Sequence, residues 1–175
     1  GYAIAGAQRD DDNGDNSGSA YIFVCDGEDW VQQDKITADD GEGYDNFGYS
    51  VSISGDYVIV GADGNGDNFG SAYIFVRDGE DWIQQDKITA DDGSAGDLFG
   101  TSVSISGDHA IVGAAWDDDD GDRSGSAYIY TFLLGGVVEG YVFDAMNDEP
   151  LENATICLNN WMRTQSDSTG FWRFE

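Results

Sequence analysis

Residues 19–62 read SAYIFVCDGEDWVQQDKITADDGEGYDNFGYSVSISGDYVIVGA, and residues 71–114 read SAYIFVRDGEDWIQQDKITADDGSAGDLFGTSVSISGDHAIVGA. Aligned without a gap, the two stretches differ at nine of 44 positions and begin 52 residues apart. A period of that size marks a repeat architecture, in which each unit buries its faces only against its neighbours. Within the period, Gly and Asp turns bound four short segments. FGYSVSIS alternates Val51 and Ile53 with serines, and YVIVGA follows the Gly55-Asp56 turn. SAYIFV is apolar on both faces, and WIQQDKIT after Asp78-Gly79-Glu80-Asp81 is half polar. Runs apolar on both faces suit inner strands squeezed between sheets, and the mixed run suits an outer strand. The small serines of the first segment suit a crowded axial position. Four antiparallel strands graded from tight to wet, and repeated, describe a propeller blade.

The rest of the chain extends the same pattern. GYAIAGA at the start matches the GDYVIVGA portion of the repeat, and SGSAYIY at 124–130 matches its SAYIF portion. The strands therefore read second-third-fourth, then a complete set of four, then first-second-third. The expected fold is all-β: about two and a half four-stranded blades over residues 1–134. The start reads as a truncation, the final blade lacks its WxxxxKIT strand, and closure by a strand from upstream is expected, as in propellers that remove their open edges. Such a fragment would present faces that a complete ring buries, and it is expected to self-associate.

Seven Lys plus Arg stand against 35 Asp plus Glu, for a net charge of −28. A polyanion repels phosphate backbones and anionic lipid heads, which disfavours nucleic-acid and membrane-surface partners. With 40% hydrophobic and 13% aromatic residues, the chain is too apolar for an acidic disordered segment. The acid must lie on loops around an apolar frame. The longest uncharged, unpunctuated run, Tyr128 to Leu134, is far short of the ~20 residues of a membrane span.

Three loops concentrate the acid, each following the second strand of a blade. Oxygen-bearing side chains recur at every second residue: Asp11, Asn13 and Asp15; Asp63, Asn65 and Asp67; Asp118, Asp120 and Asp122. Alternating oxygens on a glycine-softened loop are what Ca²⁺ requires, since it takes about six to eight oxygen ligands. The competing reading is a set of solvated turns, where Asp, Asn and Gly are favoured for backbone reasons. These loops and the long ones joining the fourth strand to the next first strand are expected on one face of the disc.

No catalytic constellation emerges. His109, the lone histidine, aligns with Tyr57, so a packing or surface role is expected. Cys25 aligns with Arg77 and lies far from Cys157, which disfavours a disulfide and leaves no metal-ligand cysteine spacing. Trp30 and Trp82 recur at one strand position and are expected to pack on the outer strand. Asn153-Ala154-Thr155 is a formal glycosylation sequon.

Phe47-Gly48 and Phe99-Gly100, each followed by Val-Gly-Ala at 60–62 and 112–114, resemble the FG-GAP repeat. With SGSAYIF and W-x-x-x-x-K-I-T, the pattern is similar to the bacterial, integrin-alpha-like branch. That resemblance implies a seven-bladed propeller, an extracellular or cell-surface parent, and a module for ligand binding or adhesion to an extracellular protein or glycan, without catalysis. The alternative is an accessory or spacer module of a secreted multidomain hydrolase. Calcium in the family sits in a D-x-D-x-D-G loop between first and second strands. Here that loop is only Ser54-Gly55-Asp56 or Ser106-Gly107-Asp108, too short to cage an ion. Residues 135–175, with GYVFD, PLENA and DSTGFWRF, resemble a truncated carboxypeptidase regulatory-like domain, a transthyretin- or Ig-like β-sandwich.

Overall fold

A computed structural model describes residues 1–64 and 69–131, together with 138–141, 155–158, 162–165, 168–169 and 171–174. Every regular element among them is a β-strand. The chain divides into two units, Gly1–Phe132 and Leu133–Glu175.

In the first unit, the complete repeat folds into one antiparallel sheet. Its first blade begins with β1 (Tyr2–Ala7), β2 (Ser19–Asp26) and β3 (Asp29–Ile36), paired in that order. The second blade is β4 (Ser50–Ser54), β5 (Tyr57–Ala62), β6 (Ser71–Asp78) and β7 (Asp81–Ile88). The third is β8 (Phe99–Ser106), β9 (His109–Ala114) and β10 (Ser126–Thr131). This is the strand sequence that the repeat implies. The same register slip recurs at Ile22/Phe23 and at Ile74/Phe75, so the two fourth strands carry equivalent bulges.

The doubly apolar strands are explained by what covers each face. Val58, Val60, Tyr73, Phe75 and Trp82 pack with Ala20, Ile22 and Ile36 of the preceding blade. From the same strands, Ile59, Ala72 and Ile74 point the other way, into a cluster with Phe99, Ile105, Val112 and Ala114 of the next blade. The central sheet is buried on both sides, so alternation of apolar and polar residues would leave one core half polar. Ile111 and Ile129, the third-blade counterparts of Ile59 and Ile74, are 44% and 73% exposed, against 0% and 2% for those partners. Trp82 is buried and meets Tyr2 edge-on at 5.7 Å, whereas Trp30 is exposed on the first blade. Outer-strand packing therefore describes Trp82 but not Trp30.

The Phe-Gly pair joins adjacent blades. Phe47 is fully buried and meets Tyr73 and Phe75 edge-to-face at 5.4 and 5.9 Å. Phe99 repeats this against Tyr128 and Tyr130. The backbone of each phenylalanine bridges in parallel to the preceding blade, Phe47 to Gly18 and Phe99 to Gly70. Gly48 adopts φ +89° and Gly100 φ +91°, a region that side chains rarely enter. A Cβ at Gly6 would strike the carbonyl of Gly48, and one at Gly61 would strike the carbonyl of Gly100. The glycines of the Phe-Gly and Val-Gly-Ala pairs thus let two backbones approach. The serines finish the seam: Ser50 Oγ donates to Gly100 O at 2.7 Å, and Ser52 Oγ accepts from Ile105 N–H at 3.2 Å.

In the second unit the described strands are β11 (Val138–Tyr141), β12 (Thr155–Leu158), β13 (Met162–Gln165) and β14 (Phe171–Phe174). They form two antiparallel pairs, β11–β14 and β12–β13. The PLENA segment of the sandwich resemblance lies outside the described residues.

Candidate functional site: the loop face of the blades

The acidic loops after β1 and β9 are built alike. Asp10 starts one and Asp117 the other, each accepting a backbone N–H across its own loop, from Gly18 at 2.8 Å and Gly125 at 2.9 Å. Ser17 Oγ and Ser124 Oγ donate to the same two carbonyls. Gly14 and Gly121, Asn16 and Arg123, and Gly18 and Gly125 all take positive φ at equivalent places. The alternation of Asp, Asn and Gly therefore encodes a wound, self-bonded loop.

The described residues among the nine predicted ligands differ in their surroundings. Asp11 Oδ1 is committed to the Asn16 N–H at 2.7 Å. Asp15 receives the Tyr44 hydroxyl at 3.4 Å, and its carbonyl receives the Tyr44 N–H at 2.7 Å. Asn13, Asp118, Asp120 and Asp122 are exposed. Asp63 is buried and accepts from Asn46 Nδ2 at 2.9 Å, and burial pushes its carboxyl above the ordinary value. Asn65 and Asp67 lie outside the described residues. Among the described residues, no group of three or more His, Cys, Asp or Glu is arranged to hold a metal.

The residues that do anchor the loops are others. Asp10 Oδ2 accepts from Ser19 Oγ at 2.8 Å and Tyr21 Oη at 3.0 Å, and pairs with Lys35 Nζ at 2.8 Å. The lysine, ahead of Ser19, holds the Asp10 carboxyl well below the usual carboxylate range. Asp117, 1% exposed, accepts from Tyr128 Oη at 2.9 Å, which lowers its pKa. Charge from Asp117 pushes the neighbouring Asp119 upward. The sequence signal for these anchors is that Asp10 and Asp117 sit at the same place in matching stretches, DDDNGDNSGSAYIF and DDDDGDRSGSAYIY.

The loops entering each first strand lie against the acidic loops, as expected for one shared face. Asn46 N–H donates to Asn16 O, Gly64 N–H to Asp45 O, and Trp116 N–H to Asp97 O, each at 3.1 Å. Asp45 and Asp97 each fold back on their own loop, accepting from Glu42 N–H at 2.8 Å and Ser94 N–H at 2.6 Å.

Between the first two blades these loops enclose a cleft of about 510 Å³ lined by Gln8, Arg9, Asn16, Tyr44, Asn46, Tyr49 and Asp63. Tyr44 and Tyr49 are half exposed at its rim. Tyr44 has φ +73°, at the position where the next repeat has Gly96 at φ +105°. A bulky side chain in that region is strained, by about 1–2 kcal/mol. The substitution of tyrosine for glycine between repeats was the available signal, but only the backbone shows what it costs. Two amphipathic rings, a guanidinium and three amides around a cleft can stack on a ligand and hydrogen-bond its edges.

The family model for the FG-GAP repeat matches residues 1–23, 30–75 and 82–130. No curated protein matches the chain.

Proposed function

The chain belongs to the FG-GAP repeat family, and from that premise we propose that it is an extracellular ligand-binding or adhesion module that acts through the loop face of its blades. The observation that carries this reading is Tyr44, a tyrosine held in a glycine conformation with its ring presented at the cleft between blades. A position that only folded would be served better by the glycine of the next repeat. Strain kept at an exposed aromatic residue is a mark of a site where function outweighs stability. The ligand is an extracellular protein or glycan with an apolar or sugar face for the two tyrosines and an acceptor for Arg9. The net charge of −28 adds selectivity by repelling polyanionic surfaces.

Protein and glycan arrays probed with the chain, with Tyr44→Gly and with Arg9→Ala provide the test. The expected result is a hit for the unaltered chain that weakens at least tenfold in both variants, while Tyr44→Gly melts no lower than the parent. An unaltered chain that binds nothing, or variants that bind equally well, would overturn the proposal.

A further inference from the structure

The cleft between the first two blades departs from the repeat at every lining residue that falls within the aligned copies. Tyr44, Asn46 and Tyr49 line it, and all three are among the nine positions at which the copies differ. The next copy has Gly96, Leu98 and Thr101 there, and Asp63 gives way to Ala115 one residue past the aligned stretch. Leu98 keeps the positive φ of Asn46, 56° against 57°, so the conformation is retained while an amide becomes aliphatic. Asn46 and Asp63 are only 7% and 6% exposed and form the floor, where Asn46 Nδ2 donates to Asp63 Oδ1 at 2.9 Å. That bond uses one of the amide's two hydrogens, and the amide oxygen has no partner among the described residues. Buried polar groups are normally satisfied, so spare capacity at the floor of a cleft points to a ligand. At the rim, Arg9 is exposed and has neither an ion pair nor a ring contact among the described residues. Lys35, Arg77 and Lys87, by contrast, each pair with a carboxylate, and Arg123 covers Trp116.

We propose that this cleft binds a neutral pyranose unit of a glycan, with the rings of Tyr44 and Tyr49 against its C–H face and Asn46, Asp63 and Arg9 on its hydroxyls. The inference rests on the cleft being the ligand site of the module, and it names the class of ligand. The floor sets a carboxylate acceptor beside an amide that both donates and accepts. Adjacent sugar hydroxyls, each a donor and an acceptor, match that mixture. Charge argues the same way. An anionic sugar would face the Asp63 carboxyl and the net charge of −28, and a cationic group would face Arg9. None of the lining residues is aliphatic, so the cleft lacks the apolar wall that would desolvate the anchor side chain of a peptide. The corresponding floor between the second and third blades has Leu98 and Ala115 in place of the amide and the carboxyl, which leaves a sugar hydroxyl without side-chain partners there.

The test places the full 175-residue chain on arrays of neutral oligosaccharides, of uronic-acid and sulfated oligosaccharides, and of proteins. Calorimetry with the tightest-binding neutral oligosaccharide follows. The expected result is binding confined to neutral glycans, at one site per chain. Asn46→Leu combined with Asp63→Ala matches the Leu98 and Ala115 of the next cleft and leaves no carboxyl unpaired. It should weaken binding about tenfold or more. Tyr49→Thr, matching Thr101, changes a half-exposed rim residue that the fold does not need, and it should weaken binding about fivefold through lost stacking. Thermal melts verify that both variants fold, and Tyr49→Thr decides the matter if the double variant does not. Hits confined to proteins would overturn the sugar proposal and leave the binding-module reading standing, whereas no hit of any kind would overturn both. Anionic glycans bound as well as neutral ones, or neutral binding that the folded variants do not weaken, would also overturn the proposal.

Discussion

Gly61→Ala is the sharpest perturbation of the seam between blades, because the repeat contains its own control. A Cβ at Gly61 would strike the carbonyl of Gly100 on the next blade and also the Ser50 hydroxyl, which already donates to that carbonyl at 2.7 Å. Overpacking a filled seam costs about 1–3 kcal/mol. Losing the Ser50 bond adds about 1 kcal/mol. Gly113 occupies the same place in the third blade, where an added Cβ would meet only Ser102, whose side-chain oxygen can rotate away. No next-blade carbonyl approaches it among the described residues. Relief of glycine's excess unfolded-state entropy, about 0.5–1 kcal/mol, favours alanine at both sites and cancels in the comparison. Urea unfolding of the two variants should therefore show Gly61→Ala less stable than Gly113→Ala by about 2 kcal/mol or more. Gly6→Ala, which faces the Gly48 carbonyl, should resemble Gly61→Ala. Equal losses at positions 61 and 113 would refute the close approach of blades as the reason for these glycines.

Three further outcomes follow from the electrostatics and the exposed faces. Asp10 is held below the carboxylate range mainly by Lys35, so its contribution is complete above the unfolded value of about 3.9 and lost as pH falls below it. Melting temperature should drop as pH falls below about 4, and Asp10→Asn should flatten that slope relative to the parent; an unchanged slope would remove Asp10 from the account. Melting in millimolar CaCl₂ and in MgCl₂ at matched ionic strength should rise equally, through screening of the net charge of −28. A calcium-selective rise abolished by joint replacement of Asp118, Asp120 and Asp122 with Asn would establish chelation instead. Ile129→Lys on the open face of the third blade should reduce self-association in light scattering, and an unaltered association state would mean that this face is not what associates.

The blades were legible in the sequence because packing on both faces leaves a mark at single residues. Val58 and Val60 serve one core and Ile59 the other, so YVIVGA had to read as continuous apolar chain. The Gly55-Asp56 turn and the serines of SVSIS likewise matched a first strand seamed to its neighbour by Ser50 and Ser52. The site was less legible. Asp10 and Asp117 are indistinguishable by composition from the solvated acids beside them. Only the fold shows that a tyrosine and, for Asp10, a lysine from other strands converge on them. The Lys35 and Lys87 positions opposite Tyr21 and Tyr73 could have been found by laying the strands in register. Their different carboxylate partners could not, because those come from loops of different blades. Tyr44 carries a signal only in comparison with Gly96, and strain is a property of φ rather than of residue type.

The central claim is that the Phe-Gly pair forms a hydrogen-bonded seam between blades and is not a solvated turn. Amide hydrogen exchange resolved at Phe47 and Phe99 tests it directly. Their N–H groups donate to Ser17 O at 3.0 Å and Phe69 O at 3.1 Å on the preceding blade, and Phe47 and Phe99 are 1% and 0% exposed. The account predicts that these amides exchange as slowly as Val58 to Val60 in the doubly covered strand. Exchange at the rate of the exposed turn residues Gly55 and Gly107 would contradict it.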